Sequence, residues 1–268
     1  IDSCLFQADS IIYKESKIWY SSLVQYEIAR YITPYGKYMT LGPNGKTWIY
    51  DVTDYRHILV DSVDISAGNQ QELIDLRFEF IKGEPEADVL KVSHIWHENR
   101  KSIRYKYLSD DSQLSNTSVP LVAGSNIYKV KTRLTGHGHN SNDATYPHCC
   151  EWKDNTHYLS VNGIDVADWH IFKYNDCALN PVYPQGGTWP GAREGWCPGD
   201  IVHDVEFNIS SYINSDSVDI DYSITAVPAD NEGMGNGNYV IAMQLIQYGN
   251  AKDEYDAELY EIMAPTDA

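Results

Sequence analysis

The sequence contains no run of about 18 apolar residues, the length that a membrane-spanning helix requires. Its first residues, Ile1-Asp2-Ser3-Cys4, also lack the charged and apolar regions of a signal peptide. We therefore expect a soluble protein in an already processed form, with no membrane partner.

Lysine and arginine are scarce, with 20 against 38 aspartates and glutamates, and the formal charge is −18. A surface of this sign repels phosphate backbones, so nucleic acid is excluded as a partner. The acidic residues are scattered along the chain, which favours a solvated surface over a dedicated cation site. Self-assembly is compatible with this composition.

Long amphipathic helices and short-period repeats are missing as well, and strand-like patterns dominate instead. Segments rich in β-branched and aromatic residues alternate with clusters of Gly, Pro, Asn and Asp. In 73–81, apolar and charged residues alternate cleanly, which predicts an antiparallel strand with one buried face. We predict strands at 17–20, 23–32, 47–52, 73–81, 87–96, 103–108, 127–134, 156–161, 204–209, 218–226 and 239–248, with one short helix or turn within 51–60.

The division of the chain follows from a polar segment, 109–120, that separates two series of strands and has little to pack. A chain of 268 residues is long enough for two domains with ordinary cores. We predict an all-β protein of two consecutive antiparallel β-sandwich jelly-roll domains. The first domain covers 1–110, the linker 111–122 and the second domain 123–268.

Five cysteines and two N-glycosylation acceptor sequences, at Asn116 and Asn208, favour a secreted or extracellular protein. The odd number leaves at least one thiol free, bound to metal or paired between chains. Cys149 or Cys150 could pair with Cys4, and the sequence leaves this choice open.

Chemistry is concentrated in the stretch 135–157, which holds four histidines, two cysteines and, between Cys150 and Trp152, the carboxylate of Glu151. Residues i and i+2 of a strand project to one face, so His137 and His139 could bind one metal ion or one substrate. The alternative is a pair of histidines that only donate and accept hydrogen bonds in a cleft.

Several rare residues recur here at a spacing that resembles the peptide N-glycosidase F family, amidases that cut the bond between asparagine and the first sugar of an N-glycan. The resemblance implies two eight-stranded jelly rolls packed side by side, with the active cleft at their interface. It also implies N-glycoproteins or glycopeptides as substrates and no cofactor. The matching segments are Gln25–Tyr35, Asp51–Tyr55, Gly136-x-Gly138-His139, Cys149-x-Glu151-Trp152, Thr156-His157, Cys177–Pro181 and Trp189–Gly199.

Site residues follow from the same resemblance. Glu151 matches an active-site glutamate, and Arg193 matches an arginine that polarises or binds the substrate. Asp9 is the candidate for the first-domain base, although its surroundings depart from the family pattern and no glutamate stands near Asp64 for a third carboxylate. The substrate-binding set is completed by His139, Trp152 and Trp189.

Structural roles compete with these functional ones. Glu151 could simply accept buried hydrogen bonds, and Arg193 could anchor its own glycine-rich loop. The resemblance also pairs Cys177 with Cys197 in a disulfide, worth roughly 3 kcal/mol through the lost entropy of the unfolded chain.

Two other functions stay open, and one of them arises because the family has Trp where this chain has His137. Peptidylglycine α-hydroxylating monooxygenases, which share paired jelly rolls, hold copper through a His-x-His pair and a methionine. By that likeness His137, His139 and Met234 would form a copper site, with Met243, His148 or His157 as substitutes. A non-catalytic extracellular glycan-binding or structural protein is the third alternative.

Overall fold

A computed structural model describes the backbone of 4–7 and 10–13 and all of residues 24–39, 45–67, 75–97, 99–138, 150–226 and 237–252. Its strands are β1 (Cys4–Gln7), β2 (Ser10–Tyr13), β3 (Ala87–His94), β4 (Lys101–Arg104), β5 (Thr117–Pro120), β6 (Ile127–His137), β7 (His157–Val161), β8 (Ile164–Trp169), β9 (Phe172–Lys173), β10 (Arg193–Glu194), β11 (Val205–Asn208), β12 (Ser217–Ile224) and β13 (Asn238–Ala251). Its helices are α1 (Tyr105–Ser109) and α2 (Asp176–Leu179), with 3₁₀ turns at Gly36–Tyr38, Thr53–Tyr55 and Ser210–Tyr212.

Two antiparallel sheets form a sandwich. One has five strands, in the order β11-β6-β13-β3 with β4 also paired to β13, and the other has four, in the order β5-β12-β7-β8. Alternate residues of β12 are buried, as the period of two in a half-buried strand requires. The facing side chains of both sheets form one hydrophobic core. The predicted all-β class is therefore confirmed.

The long strand β13 is buried on both faces of its sheet. Leu245 belongs to the sandwich core, while the next residue, Ile246, packs in a second cluster with Tyr55 and Val92. That second cluster is also contacted by Tyr26. The chain before β3 thus covers the outer face of the five-stranded sheet.

A buried ionic network fixes the segment 24–35 to that sheet. Arg30 donates to both oxygens of Glu27, at 2.9 and 2.6 Å, and to Thr135 Oγ1 on β6 at 2.9 Å. Arg133, also on β6, donates to the Glu27 carbonyl at 2.8 Å and to Asp204 at 2.6 Å. Buried charges are costly unless they are paired, so these contacts determine where the segment runs.

Three predicted strands are wrong in their described parts. Residues 75–81 form no strand, and Phe80 and Ile81 are 89% and 91% exposed. Alternation is not enough, since a strand also needs a neighbour for its backbone hydrogen bonds. Residues 24–32 and 47–52 are extended, with one bridge at Tyr31–Ile201.

The second half of 103–108 folds as α1 rather than as a strand, because Tyr105 and Leu108, three residues apart, bury one helical face. By contrast, the short helix within 51–60 is confirmed by the 3₁₀ turn Thr53–Tyr55. Among the described residues, no helix has the length and hydropathy needed to cross a bilayer.

The predicted linker, 111–122, contains β5 and buries Leu114 and Val119 against the sandwich core. In addition, β3 and β4, which precede it, pair with β13. The described part of 87–110 is therefore joined to the sheet of the second half, and the domain boundaries remain a prediction.

Candidate functional site

The centre of the site is a hydrogen bond from Arg193 Nε to Glu151 Oε1, 3.3 Å long. The Arg193 side chain is fully buried, and that of Glu151 is 13% exposed. The Glu151 backbone is held from both sides. Its N–H donates to the Gly138 carbonyl at 3.0 Å, and its carbonyl accepts from the Glu194 N–H at 2.9 Å. The glutamate is thus fixed between the end of β6 and β10.

The remaining N–H groups of Arg193 bind the loop 188–191. Nη1 donates to the carbonyls of Trp189 and Gly191, at 3.2 and 2.7 Å. Nη2 donates to the carbonyl and the hydroxyl of Thr188, at 2.7 and 3.0 Å. Because a guanidinium has five N–H groups, these partners and Glu151 account for all of them. Arg193 therefore anchors its own loop and positions Glu151.

Aromatic rings enclose the same guanidinium. Its carbon lies 4.4 Å from the centre of the Trp152 ring, 4.9 Å from that of Trp196 and 5.6 Å from that of Tyr35. A cation over an aromatic face is attracted by the negative face of the ring. The Trp152 ring also lies against Gly191, where a Cβ atom would come within 2.9 Å of it.

His137 adds another ring to this group, stacked on Trp196 with 5.0 Å between ring centres. Its Nε2 lies 2.7 Å from Thr135 Oγ1. Burial, together with the nearby Arg30 cation, lowers the pKa of His137 to about 4. The nearby Arg30 cation disfavours a metal ion at this ring, and the Nε2 atom is already taken by its contact with Thr135.

The segment 32–35 brings the first half of the chain to this site. Tyr35 donates its N–H to Gln185 Oε1 at 2.8 Å and accepts at its carbonyl from the Gly186 N–H at 2.7 Å. The Ile32 carbonyl accepts from the Gly199 N–H at 2.8 Å. These bonds hold the Tyr35 ring against Arg193.

A second buried carboxyl group, Glu194, lies next to the site and was not predicted. Its Oε1 accepts from the hydroxyl of Tyr239 at 3.0 Å and lies 3.1 Å from His157 Nε2. Burial raises the pKa of Glu194 to about 9 and lowers that of His157 to about 3. Both shifts favour the neutral form of the group concerned. The only signal in the sequence is that Glu194 follows Arg193 in one short motif.

Cys177 and Cys197 form a disulfide with 5.1 Å between their Cα atoms, as the resemblance implies. This bridge joins α2 to the segment that carries Trp196. Cys150 is also disulfide-bonded.

Comparison with known proteins identifies the family. The family model for the C-terminal part of peptide-N-glycosidase F matches residues 105–246, which is more than half of the chain. The chain belongs to the peptide-N-glycosidase F family. It is 28% identical over 185 residues to peptide-N(4)-(N-acetyl-β-D-glucosaminyl)asparagine amidase F of Elizabethkingia miricola. That match covers 66% of this chain and 51% of the relative, so the chain spans about half the length of the curated relative that it matches.

Solved structures agree on the peptide-N-glycosidase F fold. One is a crystal structure of peptide-N(4)-(N-acetyl-β-D-glucosaminyl)asparagine amidase, with a TM-score of 0.51 and 22% identity. Another is that of PNGase F, a glycosylasparaginase from Flavobacterium meningosepticum, with the same TM-score and identity. Each match covers 63% of this chain and 55% of the other chain. At this identity, the likeness shows the shared fold.

Of the residues predicted from the peptide-N-glycosidase F resemblance, Glu151, Trp152 and Arg193 come together in the described structure, and Trp189 contacts Arg193 through its backbone carbonyl. Asp9 and His139 lie outside the described residues, so the pairing of Asp9 with Glu151 remains a prediction.

The copper site of the alternative hypothesis also stays a prediction, since His139 and Met234 both lie outside the described residues. Among the described residues around His137, none supports it. Of its substitute ligands, Met243 is buried in the sandwich core, His157 is bonded to Glu194, and His148 lies outside the described residues. Within the described ranges, no group of three His, Cys, Asp or Glu side chains is arranged to hold a metal ion.

Proposed function

We propose that the protein is an amidase that hydrolyses the bond between asparagine and N-acetylglucosamine in N-glycoproteins. The observation that carries this proposal is the Glu151 carboxylate, which is held at Oε1 by the fully buried Arg193 while its side chain keeps 13% exposure. Family membership supports the same reaction class. The chain spans about half the length of its curated relative, so we propose the activity of that relative for this chain from the geometry of Glu151.

The chemistry requires a carboxylate that is fixed but accessible. With Oε1 occupied by Arg193, Oε2 of Glu151 is the oxygen left to orient a water molecule or to accept a hydrogen bond from the substrate. Water attacks the amide carbonyl carbon, the C–N bond breaks, and the departing glycosylamine nitrogen takes a proton. We propose Asp9 as the partner that handles this proton transfer with Glu151.

Trp152 and Trp189 are proposed to bind the sugar nearest to the scissile bond. Trp152 is half-buried and already stacked on Arg193, so one ring face is committed to the protein. A glycan would pack on the rest of the ring, as amphipathic aromatic side chains allow. Secretion is proposed as well, because a Cys177–Cys197 disulfide persists in oxidising compartments.

The test is the release of intact glycans from a denatured N-glycoprotein, followed by mass spectrometry of the glycan and of the peptide. Hydrolysis at this bond converts the asparagine to aspartate, which identifies the reaction. We expect Glu151→Gln to reduce release by about 10²–10⁴-fold, the usual contribution of a positioned acid or base. The matched control is Glu84→Gln, at an exposed glutamate away from the site.

Two outcomes would overturn the proposal. One is a folded wild-type protein that releases no glycan between acidic and alkaline pH. The other is a Glu151→Gln variant that releases glycan as fast as the Glu84→Gln control.

A further inference from the structure

A second polar cluster lies on the surface, made of Asp154, Thr156, His170 and Tyr174 (the Asp154 cluster). Asp154 Oδ1 lies 2.7 Å from His170 Nδ1, and Asp154 Oδ2 accepts from the Tyr174 hydroxyl at 2.5 Å. The other nitrogen of His170, Nε2, lies 3.3 Å from Thr156 Oγ1. One carboxylate therefore orients two ring side chains.

These side chains are held by hydrogen bonds although they face solvent. The side chain of His170 is 53% exposed, and Tyr174 is 64% exposed. The Tyr174 ring is also held by the ring of Phe172, at 5.0 Å between centres and 75° between planes. Fixing exposed side chains costs conformational entropy and adds little stability at a surface. A pre-organised binding site needs polar groups in fixed positions around an exposed aromatic ring.

The cluster is adjacent to the Glu151 site in the chain and in the sheet. Asp154 follows Glu151 by three residues. Tyr174 directly follows β9, in which Lys173 pairs with Arg193 of β10. The cluster thus lies one strand away from the arginine that positions Glu151.

The chemistry of the cluster fits a neutral sugar. The exposed Tyr174 ring offers an apolar surface to the C–H face of a pyranose, while Asp154, His170 and Thr156 offer hydrogen-bonding groups to its hydroxyls. The Asp154 carboxylate and the formal charge of −18 disfavour an anionic ligand. A few placed polar groups beside an aromatic ring are typical of small-ligand sites.

We propose that the Asp154 cluster is a second sugar-binding subsite, which takes neutral sugars of the glycan beyond the one attached to asparagine. This inference rests on the proposed function for its biological substrate. The binding itself does not require turnover.

The first experiment is therefore a titration of the wild-type protein with a free high-mannose oligosaccharide, in which binding is measured by calorimetry. We expect Tyr174→Ala and His170→Ala each to weaken binding by about tenfold, which corresponds to 1.4 kcal/mol. Tyr174→Phe keeps the ring and loses its bond to Asp154, so its affinity should fall between those of wild type and Tyr174→Ala. The control is Tyr107→Ala, at an exposed ring on α1, which should bind as wild type does.

The second experiment compares two glycopeptides, one with a full high-mannose glycan and one with a single N-acetylglucosamine. Tyr174→Ala should raise KM about tenfold for the full glycan and leave kcat and the single-sugar substrate unchanged. Tyr174-dependent binding without any glycan release would support the subsite and remove the proposed amidase. Variants with correct circular dichroism that match wild type in affinity and KM would overturn the subsite, whatever the activity of Glu151.

Discussion

The fully buried Arg193 reaches Glu151 through a single hydrogen bond, from Nε to Oε1, and uses all its other N–H groups on the loop 188–191. The position of the carboxylate and the conformation of the loop are therefore fixed by the same guanidinium. A change at Arg193 should affect stability and activity together.

The first prediction concerns Arg193→Lys. An ammonium group has neither the five planar N–H donors of a guanidinium nor its flat surface, which contacts the Trp152 and Trp196 rings. The loop carbonyls would therefore be left without partners. We expect the free energy of unfolding to fall by about 1–3 kcal/mol for each buried loop carbonyl that loses its donor. Urea unfolding followed by tryptophan fluorescence measures it. Arg104→Lys, at an exposed arginine, is the control, and equal stability of the two variants would contradict the anchoring role.

A second prediction uses Gly191, which lies against the Trp152 ring. A methyl group there would come within 2.9 Å of the ring and 3.2 Å of the Thr188 carbonyl. We expect Gly191→Ala to displace Trp152 from Arg193, to shift tryptophan emission and to reduce glycan release by about tenfold, through misplacement of the site.

The matched control for Gly191→Ala is Gly83→Ala. A Cβ atom there meets nothing within 4 Å, so this variant should behave as wild type. A Gly191→Ala variant with unchanged emission and activity would show that the contact between glycine and tryptophan does not position the site.

The sequence predicts the second half of the fold well, for a physical reason. The strand-like patterns at 127–134 and 239–248 fall on β6 and β13, which pair along their length and are largely buried. In such strands, the β-branched and aromatic residues that favour a strand locally also pack well against their neighbours in the fold. Residues 75–81 show the opposite case, because their alternation describes two faces but cannot show whether a neighbouring strand exists.

The structure shows which of the predicted site residues are neighbours, while their functional roles stay predictions. Glu151, Trp152 and Arg193 belong to motifs of rare residues, and the structure brings them together. The partners of Arg193 in 188–191 are mostly backbone carbonyls, which leave no signature in a sequence. Glu194 was missed because a charged residue beside an arginine normally indicates surface, whereas this one is fully buried.

A third prediction concerns stability at alkaline pH. The pKa of Glu194 is about 9 in the folded state because burial disfavours its charged form, against about 4.3 in an unfolded chain. Between these values the unfolded state releases a proton that the folded state keeps. The contribution of Glu194 to the free energy of unfolding is therefore fully present below about pH 4.3 and is lost as the pH rises towards 9. Glu194→Gln, which cannot ionise, should flatten the decline of the unfolding free energy from pH 5 to about 9. Parallel wild-type and variant curves would contradict this assignment.

The last prediction is the corresponding effect at acidic pH, at His137. Burial, with the Arg30 cation, holds the pKa of His137 at about 4, while an unfolded histidine has about 6.5. As the pH falls, the unfolded state thus gains a proton before the folded state does. The contribution of His137 to the free energy of unfolding is present above about pH 6.5 and is lost as the pH falls towards 4. His157, whose pKa of about 3 is also lowered by burial, acts in the same direction. His137→Phe keeps a ring on Trp196 and removes one titrating group, so its unfolding free energy should fall less steeply between these pH values, as measured by urea titrations at each pH. A variant curve as steep as that of wild type would mean that His137 is protonated as readily in the folded protein as in the unfolded chain.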